Sequence, residues 1–443
     1  MKKWKKGLWA LAVFCLCLSG CGTGEASVPE VQQVQGSADG EEPGEVSSES
    51  AADSGDEQAE NTEKKPETIF DRIRQATEET VARQQEPVKG IYVTGPLAGH
   101  ENMEDLIQLV RDSELNAMVI DIKNDEGIVT YEMEESMVQE IGADVRYIAD
   151  LPELVRRLKA DDVYLIARIV AFKDPLLAVK RPDLCIQKKD GGVFTDKNGL
   201  AWVNPYRREV WDYVLAVAKQ AVAVGFDEIQ FDYIRFPTEI TDEEADYGEE
   251  SLEKSKTDVI TEFTAYAYET LSPLGVKVSA DVFGTVIDNE TDAWIVGQDY
   301  SAMAQHLDYI CPMIYPSHYA DGVYDLDHPD LQPYETIQAA LQASSESLAK
   351  IPEDQKRAEV RPWLQDFTAT WLDVYQTYGP EQLRQQIQAV YDSGCTEWLL
   401  WNAKCSYSAA GLLSPEEAWQ EAREAEKAKQ EGGEQTGQPQ AEE

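Results

Sequence analysis

Eight short runs enriched in Val, Ile, Tyr and Phe recur along the chain, and a stretch long enough to hold a crossover separates each from the next. They are Gly90–Gly95, Ala117–Lys123, Val163–Phe172, Glu228–Phe236, Val276–Gly284, Tyr309–Pro316, Val360–Phe367 and Glu397–Ala403. This alternation is what βα units around a parallel sheet require. The intervening segments carry helical periodicity. Asn102–Ser113 places Met103, Leu106, Ile107 and Val110 on one face, and Pro205–Val224 does the same with Val210, Val214, Val217, Ala218 and Ala221. Gly225 then follows as a stop signal, and Pro152–Leu158 and Glu381–Tyr391 repeat the pattern. Strand count, period and order predict an α/β fold, a single (β/α)8 TIM-type barrel over residues 67–423. An open doubly wound sheet is the alternative, because periodicity does not reveal closure.

The two ends read differently. Residues 1–21 place four lysines among the first six residues, then an apolar stretch from Leu8 to Leu18, then Leu18-Ser19-Gly20-Cys21. The stretch is far shorter than the ~20 residues of a spanning helix and reads as an export signal. Leu-Ser-Gly before a cysteine resembles the bacterial lipobox, which implies lipidation of Cys21 and a membrane-anchored lipoprotein on the extracytoplasmic face. An ordinary cleaved signal or an uncleaved anchor is the competing reading. Residues 22–66 hold twelve acids, two lysines and no aromatic residue, so they are expected to be a disordered acidic linker. Residues 424–443 have the same character and are expected to be a disordered tail.

The net charge is −44, and the segment between linker and tail is itself strongly acidic. Nucleic acid and anionic lipid surfaces are poor partners for it, since polyphosphate binding depends on Lys and Arg displacing counterions. A neutral or amine-bearing polymer is compatible. Protein partners are unknown, and a scaffold for a partner protein is one alternative role. Beyond Cys21 the cysteines are Cys185, Cys311, Cys395 and Cys405, with no metal-ligand spacing. They read as buried free thiols, with a Cys395–Cys405 pair as the alternative.

In a barrel of this kind the reacting groups sit at the C-terminal ends of the strands. Polar residues recur there: Asp121 and Lys123 in the second run, Arg168 in the third, Asp232 and Arg235 in the fourth, and Asp281 in the fifth. Tyr315 and His318 close the sixth, Gln365 and Asp366 the seventh, and Trp401 and Asn402 the eighth. Strand alternation puts Gln230, Asp232 and Ile234 on one face and Phe231, Tyr233 and Arg235 on the other. If the first set faces the lumen, Asp232 points into the barrel mouth; a structural acid bonded to a neighbouring Arg or Tyr is the other reading. Asp281 lies at the matching place on the adjacent strand. Two such carboxyl groups can face one glycosidic bond, one donating a proton while the other attacks or activates water. A second reading makes Asp281 a ligand of a substrate hydroxyl. Asp121 shares a strand face with Lys123, so mutual neutralisation is its simplest account, with substrate contact as the other.

Aromatic residues at or beyond strand ends, Trp202, Tyr233, Tyr315, Tyr319, Trp363, Trp371 and Trp401, suit the flat apolar faces of pyranoses or, alternatively, core and loop packing. The four histidines lack H-x-x-x-H spacing, and no G-x-S-x-G, Walker loop or G-x-G-x-x-G occurs. No cofactor or metal is called for.

Trp202-Val203-Asn204-Pro205, a helix, and then Gly225-Phe226-Asp227-Glu228-Ile229-Gln230-Phe231-Asp232-Tyr233-Ile234-Arg235-Phe236-Pro237 resemble the bacterial glycoside hydrolase-like (β/α)8 barrels long filed as a domain of unknown function. The likeness runs from about Lys89 to Trp401 and takes in Ser279–Gly284 and Cys311–Pro316. It implies a barrel related to retaining glycosidases, with Asp232 as a catalytic carboxylate and Asp281 as its partner. Asp121, Lys123, Arg168, Tyr233, Tyr315, His318, Trp363, Gln365, Trp401 and Asn402 are the expected substrate-binding residues. The expected activity is cleavage of an O-glycosidic bond in an extracytoplasmic polysaccharide. The alternative is a non-catalytic polysaccharide-binding or envelope-organising lipoprotein.

Overall fold

The computed structural model describes residues 86–418 and 420. The expected signal, the Cys21 anchor, the linker and the tail lie outside the described residues, as do residues 67–85, 419 and 421–423 of the expected barrel segment.

Each of the eight apolar runs contains a strand. They are β1 Lys89–Val93, β2 Ala117–Lys123, β3 Tyr164–Val170, β4 Glu228–Asp232, β5 Lys277–Phe283, β6 Tyr309–Met313, a β7 in two pieces at Glu359–Val360 and Trp363–Gln365, and β8 Trp398–Trp401. Every pairing among them is parallel, and each strand neighbours the next in sequence. The first piece of β7 pairs with β6, and the second pairs with β8 and meets β6 at Trp363↔Met313. β8 then pairs with β1 from Lys89↔Trp398 to Ile91↔Leu400, which closes the barrel. Closure excludes the open sheet.

The helices follow the periodicity. They are α1 Met103–Arg111, α2 Leu151–Ala160, α3 Arg208–Val224, α4 Lys256–Leu271, α5 Pro333–Leu348 and α6 Pro380–Asp392. Gly225 ends α3 at φ 114°, a left-handed conformation that costs a glycine little, and its N–H bonds back to Ala221 and Val222. Gly284, just past β5, has a different reason to be glycine. A Cβ there would lie 2.2 Å from the Tyr319 hydroxyl and 2.7 Å from the Met313 carbonyl oxygen. The loops after β3 and β4 also pair as a small antiparallel ribbon, Gln187–Lys188 with Ala245–Asp246.

Polar groups close the barrel's N-terminal end. Glu228, at the start of β4, accepts two 2.9 Å hydrogen bonds from Arg361 Nη1 and one of 3.1 Å from the Tyr164 hydroxyl, and Ser279 Oγ also donates to it. Arg361 Nε reaches Glu397 at 2.6 Å, and its guanidinium lies 3.6 Å from the centre of the Tyr309 ring. Glu228 and Arg361 are fully buried. Their mutual attraction offsets two large desolvation costs, so removing one partner is worse than never having had the pair. Replacing Arg361 with Met is therefore expected to lower unfolding stability by about 3–5 kcal/mol, read from urea unfolding curves.

Candidate active site

At the opposite end every strand brings one residue to a common centre: Tyr92 from β1, Asp121 from β2, Arg168 from β3, Asp232 from β4, Asp281 from β5, Met313 from β6, Trp363 from β7 and Trp401 from β8. All but Asp121 line a pocket of about 180 Å³, together with Asp125, Tyr233, Tyr315 and Ala403.

Arg168 organises this centre. Its Nη1 donates to Asp121 Oδ1 at 2.6 Å, and its Nε donates to Asp232 Oδ2 at 3.0 Å, with Nη2 bonded to the same oxygen. Burial opposes the guanidinium's charge, but Asp232 and Asp121 override it, so Arg168 holds its proton more firmly than usual. Burial likewise raises Asp121 above the ordinary carboxyl value, with Arg168 acting in the opposite sense. The Tyr92 hydroxyl donates to Asp121 Oδ2, and burial together with that carboxylate keeps the phenol protonated. Aromatic rings wall the guanidinium, 5.5 Å from Tyr92 and 5.6 Å from Trp401, which stack on each other at 4.2 Å.

The expected Asp121–Lys123 neutralisation does not occur. The β2–β3 register shifts between Asp121 and Lys123, and the buried Lys123 turns out of the pocket to Asp174 at 2.8 Å and the Val170 carbonyl oxygen at 2.9 Å. Asp121 takes Arg168 as its cation instead.

Strand alternation also fails after Asp232. β4 ends there, and Tyr233 adopts φ +48°, a left-handed backbone that a bulky residue adopts only under strain. The turn brings the Tyr233 N–H 2.6 Å from Asp232 Oδ1 and puts the Tyr233 ring in the pocket wall beside Asp232, rather than on the opposite face. Arg235 leaves the site; its guanidinium rests against Phe283 and Trp202 at 4.5 and 4.9 Å.

Asp281 occupies the other electrostatic extreme. Its Oδ1 accepts a 2.6 Å hydrogen bond from Trp363 Nε1. Burial, reinforced by the charge of Asp232, pushes its carboxyl well above the ordinary range, against the Trp363 bond and Arg168. Asp232 thus carries two charge-assisted bonds from a guanidinium, while Asp281 has one neutral donor.

The remaining expected residues take structural places. Gln365 is fully buried, accepting from Ser317 N and Oγ at 3.1 and 2.8 Å and donating to the Phe367 carbonyl oxygen at 3.0 Å. Asn402 Nδ2 clamps the loop after β8 through the Asp366 and Ser406 carbonyl oxygens at 2.5 and 2.7 Å. His318 is buried beside Ser317 Oγ at 2.9 Å, and burial lowers it to about 3, so it is neutral. Asp125 is a pocket residue that pattern reading did not single out. Burial raises its carboxyl, but Lys173 at 2.7 Å more than compensates and holds it below the usual range. Its sequence signal was only its position two residues past a strand end. Among the described residues no group of three or more His, Cys, Asp or Glu is placed to hold a metal ion, and Cys185, Cys311, Cys395 and Cys405 are all free thiols.

A family model, DUF4015, described as a "Putative glycosyl hydrolase domain", matches residues 90–407. The chain belongs to this family. Among solved structures, a Ruminiclostridium thermocellum protein described as hypothetical is 39% identical over 43% of this chain and 97% of its own, with a TM-score of 0.40. The glycoside hydrolase domain of PgaB (BpsB) from Bordetella bronchiseptica is 14% identical over 72% of this chain and 95% of its own, with a TM-score of 0.53. The spore cortex-lytic enzyme SleL of Bacillus megaterium is 11% identical over 74% of each chain, with a TM-score of 0.43. The likeness to the PgaB domain is one of fold. No curated protein matches. Family membership and the closed barrel agree with the resemblance drawn from Trp202–Pro237.

The raised Asp281 carboxyl has a consequence for stability. Its ordinary value is 3.8, and the folded state keeps the proton to higher pH, so this group's stabilising contribution is complete below 3.8 and is lost as pH rises toward the folded value. Asp281→Asn keeps an acceptor for the Trp363 N–H and cannot ionise. Its urea midpoint is expected to gain progressively on wild type as pH rises above about 4.

Proposed function

We propose that this chain is an exported, lipid-anchored glycoside hydrolase that cleaves O-glycosidic bonds in an extracytoplasmic polysaccharide. The observation that carries this reading is the pair of strand-end carboxyl groups in one pocket with opposite electrostatic settings, Asp232 against a guanidinium and Asp281 held protonated. Glycosidic cleavage needs that asymmetry.

In this mechanism Asp281 donates its proton to the glycosidic oxygen as the C–O bond breaks, and the departing sugar leaves as an alcohol. Asp232 acts at the anomeric carbon, either by direct attack, forming a glycosyl ester that water, deprotonated by Asp281, then hydrolyses, or by taking a proton from the attacking water. Trp363 and Arg168 position the two acids through the hydrogen bonds described above. Tyr92, Tyr233, Tyr315 and Trp401 supply the ring surfaces that hold the sugar. The lipobox-like Leu18-Ser19-Gly20-Cys21 supports a diacylated Cys21 as the anchor, and the acidic segment after it supports a tether.

Release of reducing ends from a panel of envelope, capsule and environmental polysaccharides tests the activity. Asp232→Asn and Asp281→Asn are each expected to lower turnover by about 10²–10⁴-fold while binding persists. The wild-type rate should fall on the alkaline side as Asp281 gives up its proton, and this limb should vanish in Asp281→Asn. A protein that binds glycan equally as wild type and Asp232→Asn, with turnover in neither, is a binding module instead.

The anchor has its own test. Cys21→Ser is expected to shift the protein from the membrane to the soluble extracytoplasmic fraction and to abolish incorporation of labelled palmitate. A membrane-bound, unlabelled wild type would rule lipidation out.

A further inference from the structure

The pocket of about 180 Å³ is small beside the ~300–1,000 Å³ of sites that enclose a whole small-molecule ligand. It has room for about one sugar ring, so a polysaccharide has to draw further binding energy from outside it.

One part of the rim has the surface to supply that energy. Among the described residues eight large apolar side chains are exposed, and Trp371, Val374 and Tyr375 fall within one stretch of the loop after β7. A fourth, Leu331, stands on the loop after β6, which is tied to the first loop through Asp330. Both loops leave the C-terminal ends of their strands, the face on which the pocket opens. The rings also connect physically to the pocket. Tyr315, in its wall, meets Phe367 edge-on at 5.9 Å, and Phe367 lies nearly parallel to Trp371 at 5.9 Å and 28°. His318, neutral and buried, supports the same indole from the side at 6.0 Å.

The loop is held rigidly. Buried Asp330 accepts the Gln376 N–H at 3.0 Å, and its carbonyl oxygen accepts from Gln376 Nε2 at 2.7 Å and the Tyr378 hydroxyl at 3.0 Å. The Tyr378 N–H donates to Thr368 Oγ1 at 3.0 Å. Trp371, 45% exposed, is thus presented in a fixed pose on a pinned loop, which a merely solvated loop has no need of.

We infer that Trp371 and Tyr375 form an aromatic platform for sugar units beyond the one in the pocket, which makes the substrate a polymer bound across the β6–β7 side of the barrel mouth. This rests on the glycoside hydrolase reading and specifies where its polymer lies. Exposed flat rings favour pyranose units, whose apolar faces stack on indole and phenol. A monosaccharide glycoside fills the pocket alone and gains nothing from the platform.

The test compares wild type with Trp371→Ala/Tyr375→Ala, both on the Asp232→Asn background, by native gel electrophoresis in soluble glycol chitosan, hydroxyethyl cellulose, xylan and dextran. Retardation by at least one polymer, weakened about ten-fold or more in the aromatic variant, is the expected result. With active Asp232, KM for that polymer should rise by the same factor while kcat and the hydrolysis of nitrophenyl monosaccharides stay within about two-fold. Equal retardation of both forms, or none by any polymer, overturns the platform. Reducing-end release by wild type decides the hydrolase reading separately, so one can fail without the other. Should the double variant fail to fold, Tyr375→Ala alone replaces it and is judged by the same outcomes.

Discussion

Arg168 bridging Asp121 and Asp232 is the interaction on which the working end of this barrel depends. Carboxylates of β2 and β4 are buried at the lumen mouth, where an unpaired charge would be prohibitively costly. One guanidinium on the intervening strand serves both, with Nη1 to one and Nε to the other. This fixes the geometry of three neighbouring strands and orients Asp232 with a rigid planar fork that a lysine could not reproduce. The stacked Tyr92 and Trp401 rings cover one side of it and link it to the strands that close the barrel.

β4 carries the two polar ends of the structure. Glu228 at its start pairs with Arg361 across the barrel floor, and Asp232 at its end pairs with Arg168 at the mouth. The intervening Gln230 points the same way and donates weakly to Cys311 Sγ at 3.4 Å. Period-two alternation alone puts all three on the lumen side. The lower pair braces the barrel floor, whereas the upper pair lines the pocket at the mouth.

The two acids of the pocket differ because their neighbours differ. Asp232 receives charged donors and the N–H of a strained Tyr233, whereas Asp281 receives a single indole N–H inside a desolvated wall. Burial and the charge on Asp232 raise the Asp281 carboxyl, against the opposing pull of the Trp363 N–H and Arg168. Trp363, expected to touch substrate, acts first on Asp281, so its role as a ring surface is secondary to its role as a donor.

Local pattern determined the eight strands, the helices α1, α2, α3 and α6, the stop at Gly225 and the strand-end placement of Asp232 and Asp281, because period and turn chemistry are encoded within a few residues. Tertiary structure decided closure, since the β7–β6 and β8–β1 pairings join residues remote in sequence. It also decided which charges meet. Asp121 sits two residues from Lys123 yet pairs with Arg168, because a register shift turns Lys123 away. Tyr233 joined Asp232 in the pocket because a left-handed backbone broke the alternation at the strand's end, a bend that no periodicity records. Residue types and their order carry the elements and the candidate acids; partners, protonation and the pocket itself depend on distances that exist only once the barrel has closed.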